Sequence, residues 1–295
     1  MNWRQKSAAY GLIDLMPFSN HMFYLLQRYV TKSLPRSNAR IKYYVGEFKL
    51  HIGIFEKYNP NFKNETWFGF GTGWDFCENL VFHRYGLKKQ ITVDLNRLAR
   101  ADLVNAAIAM LNEALTEADM KSEVPISGPL EAALLARFGI DYRAPSDARA
   151  TGLAAGAVDI CSTTNTLEHV PFDSLRGILV ELHRIMRPGG TVSMLIDYSD
   201  HYAAVDSSIN VYNFLQYSEK QWRKYNHDRQ FQSRRRHVEY VRLHQECGFE
   251  LLEQQVWRPE NYKELLLLQP IHADFAGFSQ EEISATRGLI VARRV

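Results

Sequence analysis

Short apolar runs rich in β-branched and aromatic residues recur along the chain, and between them apolar positions return every three or four residues. The runs predict strands at Thr66–Phe70, Gln90–Asp94, Ile140–Arg143, Ala157–Thr163, Thr191–Asp197, Glu250–Val256 and Arg287–Arg293. The wider spacing predicts helices at 75–86, 97–118, 128–138, 172–187 and 235–247. Strand and helix alternate, which predicts a mainly parallel α/β sheet covered on both faces. Ahead of the first strand, residues 5–31 read as one or two amphipathic helices broken near Pro17, with Phe23, Leu25, Leu26, Tyr29 and Val30 as the apolar stripe. A further helix is predicted at 45–58, stopped by Asn59-Pro60. The chain thus divides into an N-terminal helical segment, 1–62, and an α/β domain, 63–295. The segment either folds over a ligand mouth as a lid or covers one sheet edge. Two connections, 97–139 and 198–248, exceed a simple crossover and are read as insertions that shape a substrate site.

The first strand enters a turn holding Gly69, Gly71 and Gly73, and the second ends on Asp94. Glycines let the backbone adopt φ > 0 and approach a ligand closely. A strand, glycine turn, helix and acid-tipped strand form the layout of a nucleotide-binding half-fold. Asp94 would accept from two ribose hydroxyls, at about 1.5–3 kcal/mol for each charge-assisted bond. The alternative is a strand-end Asp capping a helix that begins near Asn96. The spacing G-x-G-x-G lacks the last step of G-x-G-x-x-G, and no Walker Lys-Ser/Thr pair follows, so the ligand need not be a dinucleotide.

Composition narrows the picture. With 295 residues and 46% hydrophobic content the chain can build a sizeable core. A net charge of +2 gives no global basic field and argues against nucleic acid as a partner. Cys77, Cys161 and Cys247 are far apart and odd in number, which fits a reducing cytoplasm rather than a disulfide framework. Residues 1–16 carry no signal pattern, and no run of about 18 apolar residues predicts a spanning helix. Tyr10, Leu12, Ile13, Leu15, Met16 and Phe18 pack in a core or lid, or else make weak contact with a membrane surface. Glu264–Gln269 reads as a short core helix.

From Ser146 to Asp197 the chain reads SDARATGLAAGAVDICSTTNTLEHVPFDSLRGILVELHRIMRPGGTVSMLID. Together with the glycine turn and Asp94, this resembles class I S-adenosylmethionine-dependent methyltransferases. Val158-Asp159-Ile160 opens the fourth strand, Leu167-Glu168-His169-Val170 closes it, and Arg187-Pro188-Gly189-Gly190 precedes the fifth. A wider pattern, Gly71-Thr72-Gly73-Trp74, Val93-Asp94-Leu95-Asn96-Arg97 and Asp197-Tyr198-Ser199-Asp200-His201-Tyr202, resembles bacterial methyltransferases of cell-surface polysaccharide gene clusters. The resemblance implies a Rossmann-like seven-stranded sheet, mostly parallel, with its last strand antiparallel. It implies S-adenosylmethionine as cofactor, held by Gly69, Gly71, Gly73, Asp94, Leu95, Asp147, Ala148 and Asn165, with Asp147 meeting the adenine amino group. The family's acid at the head of the glycine turn is missing: Trp67 or Gly69 stands there. Asp75, Glu65 or a residue of the N-terminal segment would have to replace it.

Methyl transfer to oxygen needs the acceptor's proton removed. His201, near Asp197 and Asp200, is the expected general base, and His169 the second candidate. Each also reads as a histidine that shapes its loop. Asp200, Tyr202, Arg234 and Arg235 are expected to contact substrate, in a basic and aromatic insertion suited to an anionic glycan or nucleotide-linked sugar. Related quinone-biosynthesis enzymes hold a divalent ion with Glu-x-x-Glu-His; here Asn165 replaces the first carboxylate, so no required metal is expected. The expected activity is O-methylation of a hydroxyl on a surface-glycan sugar or precursor. The alternatives are a small-molecule O- or N-methyltransferase acting on a lipid, phenol or quinone-like ring, and a non-catalytic S-adenosylmethionine-binding subunit.

Overall fold

The computed structural model describes residues 2–115 and 122–295. Its strands are β1 (Thr66–Phe70), β2 (Lys89–Val93), β3 (Ile140–Arg143), β4 (Val158–Thr164), β5 (Met186–Asp197), β6 (Phe249–Trp257) and β7 (Arg287–Arg294). They form one seven-stranded sheet in the order β3-β2-β1-β4-β5-β7-β6. Neighbours from β3 to β5 pair in parallel, while β7 runs antiparallel to both β5 and β6. All seven expected strands are present, with ends that differ by a residue except at β5. There the pairs Val158–Met186 and Ile160–Thr191 leave Arg187–Gly190 bulged out, with Gly189 at φ 78°, so the Pro-Gly-Gly turn sits inside a longer strand.

The helices are α1 (Trp3–Asp14), α2 (Ser19–Leu25), α3 (Asn38–Tyr58), α4 (Cys77–Arg84), α5 (Ala101–Ala114), α6 (Leu130–Phe138), α7 (Phe172–Ile185), α8 (Glu219–Trp222), α9 (His237–Glu246), α10 (Tyr262–Leu267) and α11 (Gln280–Ser284). The break at Pro17 falls between α1 and α2 as expected. Helix α3 starts seven residues before the predicted 45–58, because Ser37 Oγ caps it by accepting the Arg40 N–H at 3.3 Å. The predicted 97–118 helix begins only at Ala101; its last residues, 116–118, lie outside the described ones.

Alternation along the strands sorts the core into two faces. Trp67 and Ile160 pack with α3, α4, α5 and α6. Phe68, Phe70, Cys161 and Met194 point the other way, against α7 and α9. A third cluster is separate from the sheet. In it Trp3 of α1 packs on Tyr202, Tyr212, Phe214 and Trp222 of the 198–248 insertion. The Trp3 N–H donates to Asp206 Oδ2 at 2.8 Å and the Ser7 hydroxyl to the Tyr225 carbonyl at 3.2 Å. Helix α1 is thereby stitched to the insertion, while α3 belongs to the sheet.

Two apolar expectations are corrected. Helix α10 buries Leu266, but Leu267 is 84% and Leu268 73% exposed, so the Leu-rich stretch is not a core helix. Its six residues cannot turn four consecutive leucines toward one side. Leu12, Leu15, Met16 and Phe18 are exposed on the N-terminal segment rather than packed in a core. No helix among the described residues is long and apolar enough to cross a membrane.

Candidate active site

Beyond the carboxyl ends of β1, β2 and β4 lies a cavity of about 710 Å³, within the usual range of about 300–1,000 Å³ for small-ligand sites. The chain leaves β1 through Gly71 at φ 72° and Gly73 at φ 73°, values that a side chain would strain. The Gly71 N–H donates to the Val93 carbonyl at 3.0 Å, which ties the turn to the tip of β2. Asp94 sits at that tip, buried. Its carboxylate accepts the Gly73 N–H at 3.2 Å and the Asn96 N–H at 3.0 Å. Burial pushes the Asp94 carboxyl up, and those two N–H groups restrain the rise. Asp94 thus shapes the turn and lines the cavity; it caps no helix, because the next one begins only at Ala101.

Leu95, Asp147, Ala148 and His169 line the same cavity. Asp147 lies below the ordinary carboxylate range because Arg149 donates to it through its side chain, at 2.6 Å from Nη2, and through its N–H at 2.8 Å. The far wall comes from α2. Phe23 lines the cavity, and Asn20 Nδ2 donates to Asn96 Oδ1 at 3.0 Å. The Tyr24 ring lies 5.6 Å from that of Trp74, with the Arg100 guanidinium 4.1 Å above it. The N-terminal segment therefore meets the glycine turn beside this cavity.

Gly69 is placed differently from Gly71 and Gly73. It lies within β1 opposite Thr92, and a Cβ there would fall 2.1 Å from the Trp67 indole. A Cβ at Gly73 would meet no heavy atom within 4 Å. Gly73 and Asn165 line a second recess of about 160 Å³, which shares Phe70, Gly71 and Thr166 with the large cavity. Glu78 and Arg36, which the sequence alone did not single out, also line it.

The two histidines come together. Their ring centroids are 5.0 Å apart. His201 Nε2 is 3.4 Å from Asp197 Oδ2. Burial pushes Asp197 up, but its bonds to His201 and Ser199 outweigh this and hold it below the ordinary range. His169 Nδ1 lies 2.7 Å from the Phe231 carbonyl, which can only accept, so Nδ1 carries the proton and Nε2 is the basic nitrogen. His169 is exposed toward the cavity, yet neighbouring protein atoms still strip much of the water from its ring. Burial, with His201 close by, lowers its pKa to about 4 and keeps the ring neutral. Glu168, His169 and His201 offer ligand atoms within 4.8 Å of one another, a set that could hold a cation. The fold adds His201 to a segment that, read alone, gave no metal expectation. Both Glu168 oxygens are buried without a hydrogen-bond partner among the described residues, and burial raises this carboxyl well above its ordinary range.

The four expected substrate contacts have internal partners, and none lines the large cavity. Asp200 accepts from the Tyr202 N–H and from Asn213 Nδ2, both within 2.8 Å. The Tyr202 hydroxyl donates to the Tyr225 carbonyl at 2.7 Å. Arg234 is buried against the Phe214 and Tyr217 carbonyls and Glu219. Arg235 is exposed, paired with Glu239 at 2.6 Å and stacked over Phe172. The expected basic aromatic surface is turned inward in large part, since Trp222, Arg236 and His237 are buried too. The aromatic rings form the third core cluster, and backbone carbonyls accept from the Nη groups of Arg234 and Arg236, whose Nε atoms are buried with no partner among the described residues.

Residues 68–194 match the family model of a methyltransferase domain. Among solved structures, the chain is similar to a geranyl diphosphate methyltransferase in complex with S-adenosylmethionine, at 16% identity over 85% of each chain and a TM-score of 0.50. It is also similar to the geranyl diphosphate C-methyltransferase of Streptomyces coelicolor A3(2), at 16% identity over 84% of this chain and 81% of that one, TM-score 0.46. A methyltransferase from Mesorhizobium loti matches at 16% identity over 82% and 96%, TM-score 0.46. No curated protein matches the sequence. The chain has the Rossmann-like methyltransferase fold, and a methyltransferase domain of this kind implies S-adenosylmethionine as cofactor.

Proposed function

We propose that this chain is an S-adenosylmethionine-dependent methyltransferase that acts on a hydroxyl, with a surface-glycan sugar or its precursor as acceptor. The supporting observation is that Asp94 and His169 line one cavity, with the His201–Asp197 pair beside His169. The open cradle at Gly73 and the cavity's size fit a nucleoside ligand. When bound, S-adenosylmethionine supplies a methyl group on a sulfonium that leaves as a neutral thioether. The protein's main task is then alignment, which can supply about 7–11 kcal/mol of the barrier. Asp94 accepts the ribose hydroxyls, and Asp147 and Ala148 flank the base. His201 takes the acceptor's proton; Asp197 engages its Nε2, so Nδ1 is the nitrogen left to receive it. Neutral His169 accepts through Nε2 and orients the hydroxyl. Phe23, Trp74 and Val170 on the cavity wall support a second reading, an apolar small-molecule acceptor.

Calorimetric titration tests the cofactor assignment. Asp94→Ala should weaken S-adenosylmethionine by about tenfold or more, the loss of one charge-assisted contact. Unchanged affinity would remove the assignment. Release of S-adenosylhomocysteine in the presence of sugars, lipids and phenols then identifies the acceptor class. Binding without release across all three would point instead to a non-catalytic cofactor-binding subunit.

A further inference from the structure

We propose that the small recess beside the glycine turn holds the amino-acid end of S-adenosylmethionine, with Glu78 of α4 and Asn165 of the β4 tip receiving its ammonium group. This inference rests on the cofactor reading above. The recess and the large cavity share Gly71 and Thr166, so a ligand whose sugar lies at Asp94 can cross Gly71 into it.

The position on β1 where related enzymes carry an acid is filled by the Trp67 indole, 1% exposed, whose Nε1–H donates to Ser162 Oγ at 2.9 Å. The carboxylate reaches the same place from another element. Glu78 Oε1 accepts from the Ser162 hydroxyl at 3.4 Å and from the Thr164 hydroxyl at 3.1 Å. Both hydroxyls belong to β4, so Glu78 is held against that strand from the first turn of α4.

Charge at the recess is unbalanced toward the acids. Asp75 and Glu78 face Arg36, and Arg36 is already paired with Asp75 at 3.0 Å. His51 of α3 reaches Thr164 Oγ1 at 3.1 Å, but burial lowers its pKa to about 3, so it brings no charge. The buried Cys77 thiol, pushed up by burial, is neutral as well. Among the described residues Glu78 forms no ion pair of its own, and burial raises its carboxyl to about 7. Asn165 adds an acceptor in the same condition: its backbone is left-handed at φ 51°, and its Oδ1 is buried with no hydrogen-bond partner among the described residues. An ammonium group offers three donors and one positive charge, which both acceptors lack. The Arg36 guanidinium on the same wall suits the ligand's carboxylate.

S-adenosylhomocysteine and methylthioadenosine carry the same nucleoside and differ by the amino-acid tail. The full chain and its Glu78→Gln variant are titrated with both by calorimetry at pH 7.5. Glu78→Gln should weaken S-adenosylhomocysteine by about tenfold and leave methylthioadenosine within about twofold. Asn165→Ala should give the same pattern at about threefold to fivefold. The methylthioadenosine affinity reports that each variant keeps its nucleoside site. Equal losses for both ligands, or no loss for either, would overturn the assignment while leaving the cofactor reading intact. A parent chain that binds neither ligand would overturn both.

Discussion

Gly69→Ala separates two roles for the first glycine of the turn, a contact with the cofactor and a seat for a tryptophan. The added Cβ would fall 2.1 Å from Trp67 Cη2 and 2.6 Å from Cζ2. Ordinary carbon contacts lie at about 3.5–4.0 Å, so the ring must move by more than about 1 Å. It has little room to do so. The indole is almost fully buried, lies edge-on to Phe82 at 5.4 Å, and donates to Ser162 Oγ. Overpacking of this kind costs about 1–3 kcal/mol, and losing the indole hydrogen bond about 1 kcal/mol more. The expected destabilisation is about 3 kcal/mol, or about 1 M in the urea midpoint for a slope near 3 kcal/mol/M. Trp67→Leu removes the obstructing ring at its own cost of about 3 kcal/mol. In that background Gly69→Ala should cost almost nothing further, a coupling of about 2–3 kcal/mol between the two sites. Urea unfolding of the parent, both single variants and the double variant measures this directly. Additive penalties, or a Gly69→Ala chain of parental stability that has lost S-adenosylhomocysteine affinity, would refute the reasoning and return Gly69 to the ligand.

Two further predictions concern the histidines. His201→Ala should lower kcat by about 100-fold or more with cofactor affinity unchanged, the usual scale for a lost general base; full turnover in that variant together with its loss in His169→Ala would exchange their roles. His244 is buried in α9 with its pKa lowered by burial to about 4, from 6.5 unfolded, so the unfolded chain binds its proton first and this residue's stabilisation falls as pH drops from about 6.5 to 4. Between pH 7.5 and 5 the difference amounts to about 1.5 units, or about 2 kcal/mol, so the stability gap between the parent and His244→Leu should shift by that amount in favour of the variant at pH 5; a gap that does not change with pH would contradict the burial argument.

The sheet was legible because its determinants are local. The central strands β1, β4 and β7 are short apolar runs buried on both faces, and glycine and proline turns help to mark strand ends. The turn at Gly71 and Gly73 and the acid at Asp94 could be read for the same reason: backbone conformation and strand-tip position follow from neighbours in sequence. The reversed direction of β7 entered only through family resemblance, and the order β3-β2-β1-β4-β5-β7-β6 came only with the structure, since nothing local states which strands pair.

What the chain alone could not decide was the destination of its polar side chains. Arg234, Asp200 and Tyr202 look like substrate contacts in a basic, aromatic stretch, yet the insertion folds on α1 and gives them carbonyls and amides as partners. The acid missing from β1 looked like a defect because its named replacements, Asp75 and Glu65, are neighbours in sequence, whereas Glu78 reaches β4 from α4 and meets Ser162 and Thr164, more than eighty residues away. Sequence determined the elements, their turns and the acid at the tip of β2. Tertiary structure decided which charges face the cavity and which are spent inside, because burial and hydrogen-bond supply depend on residues brought together only by the fold.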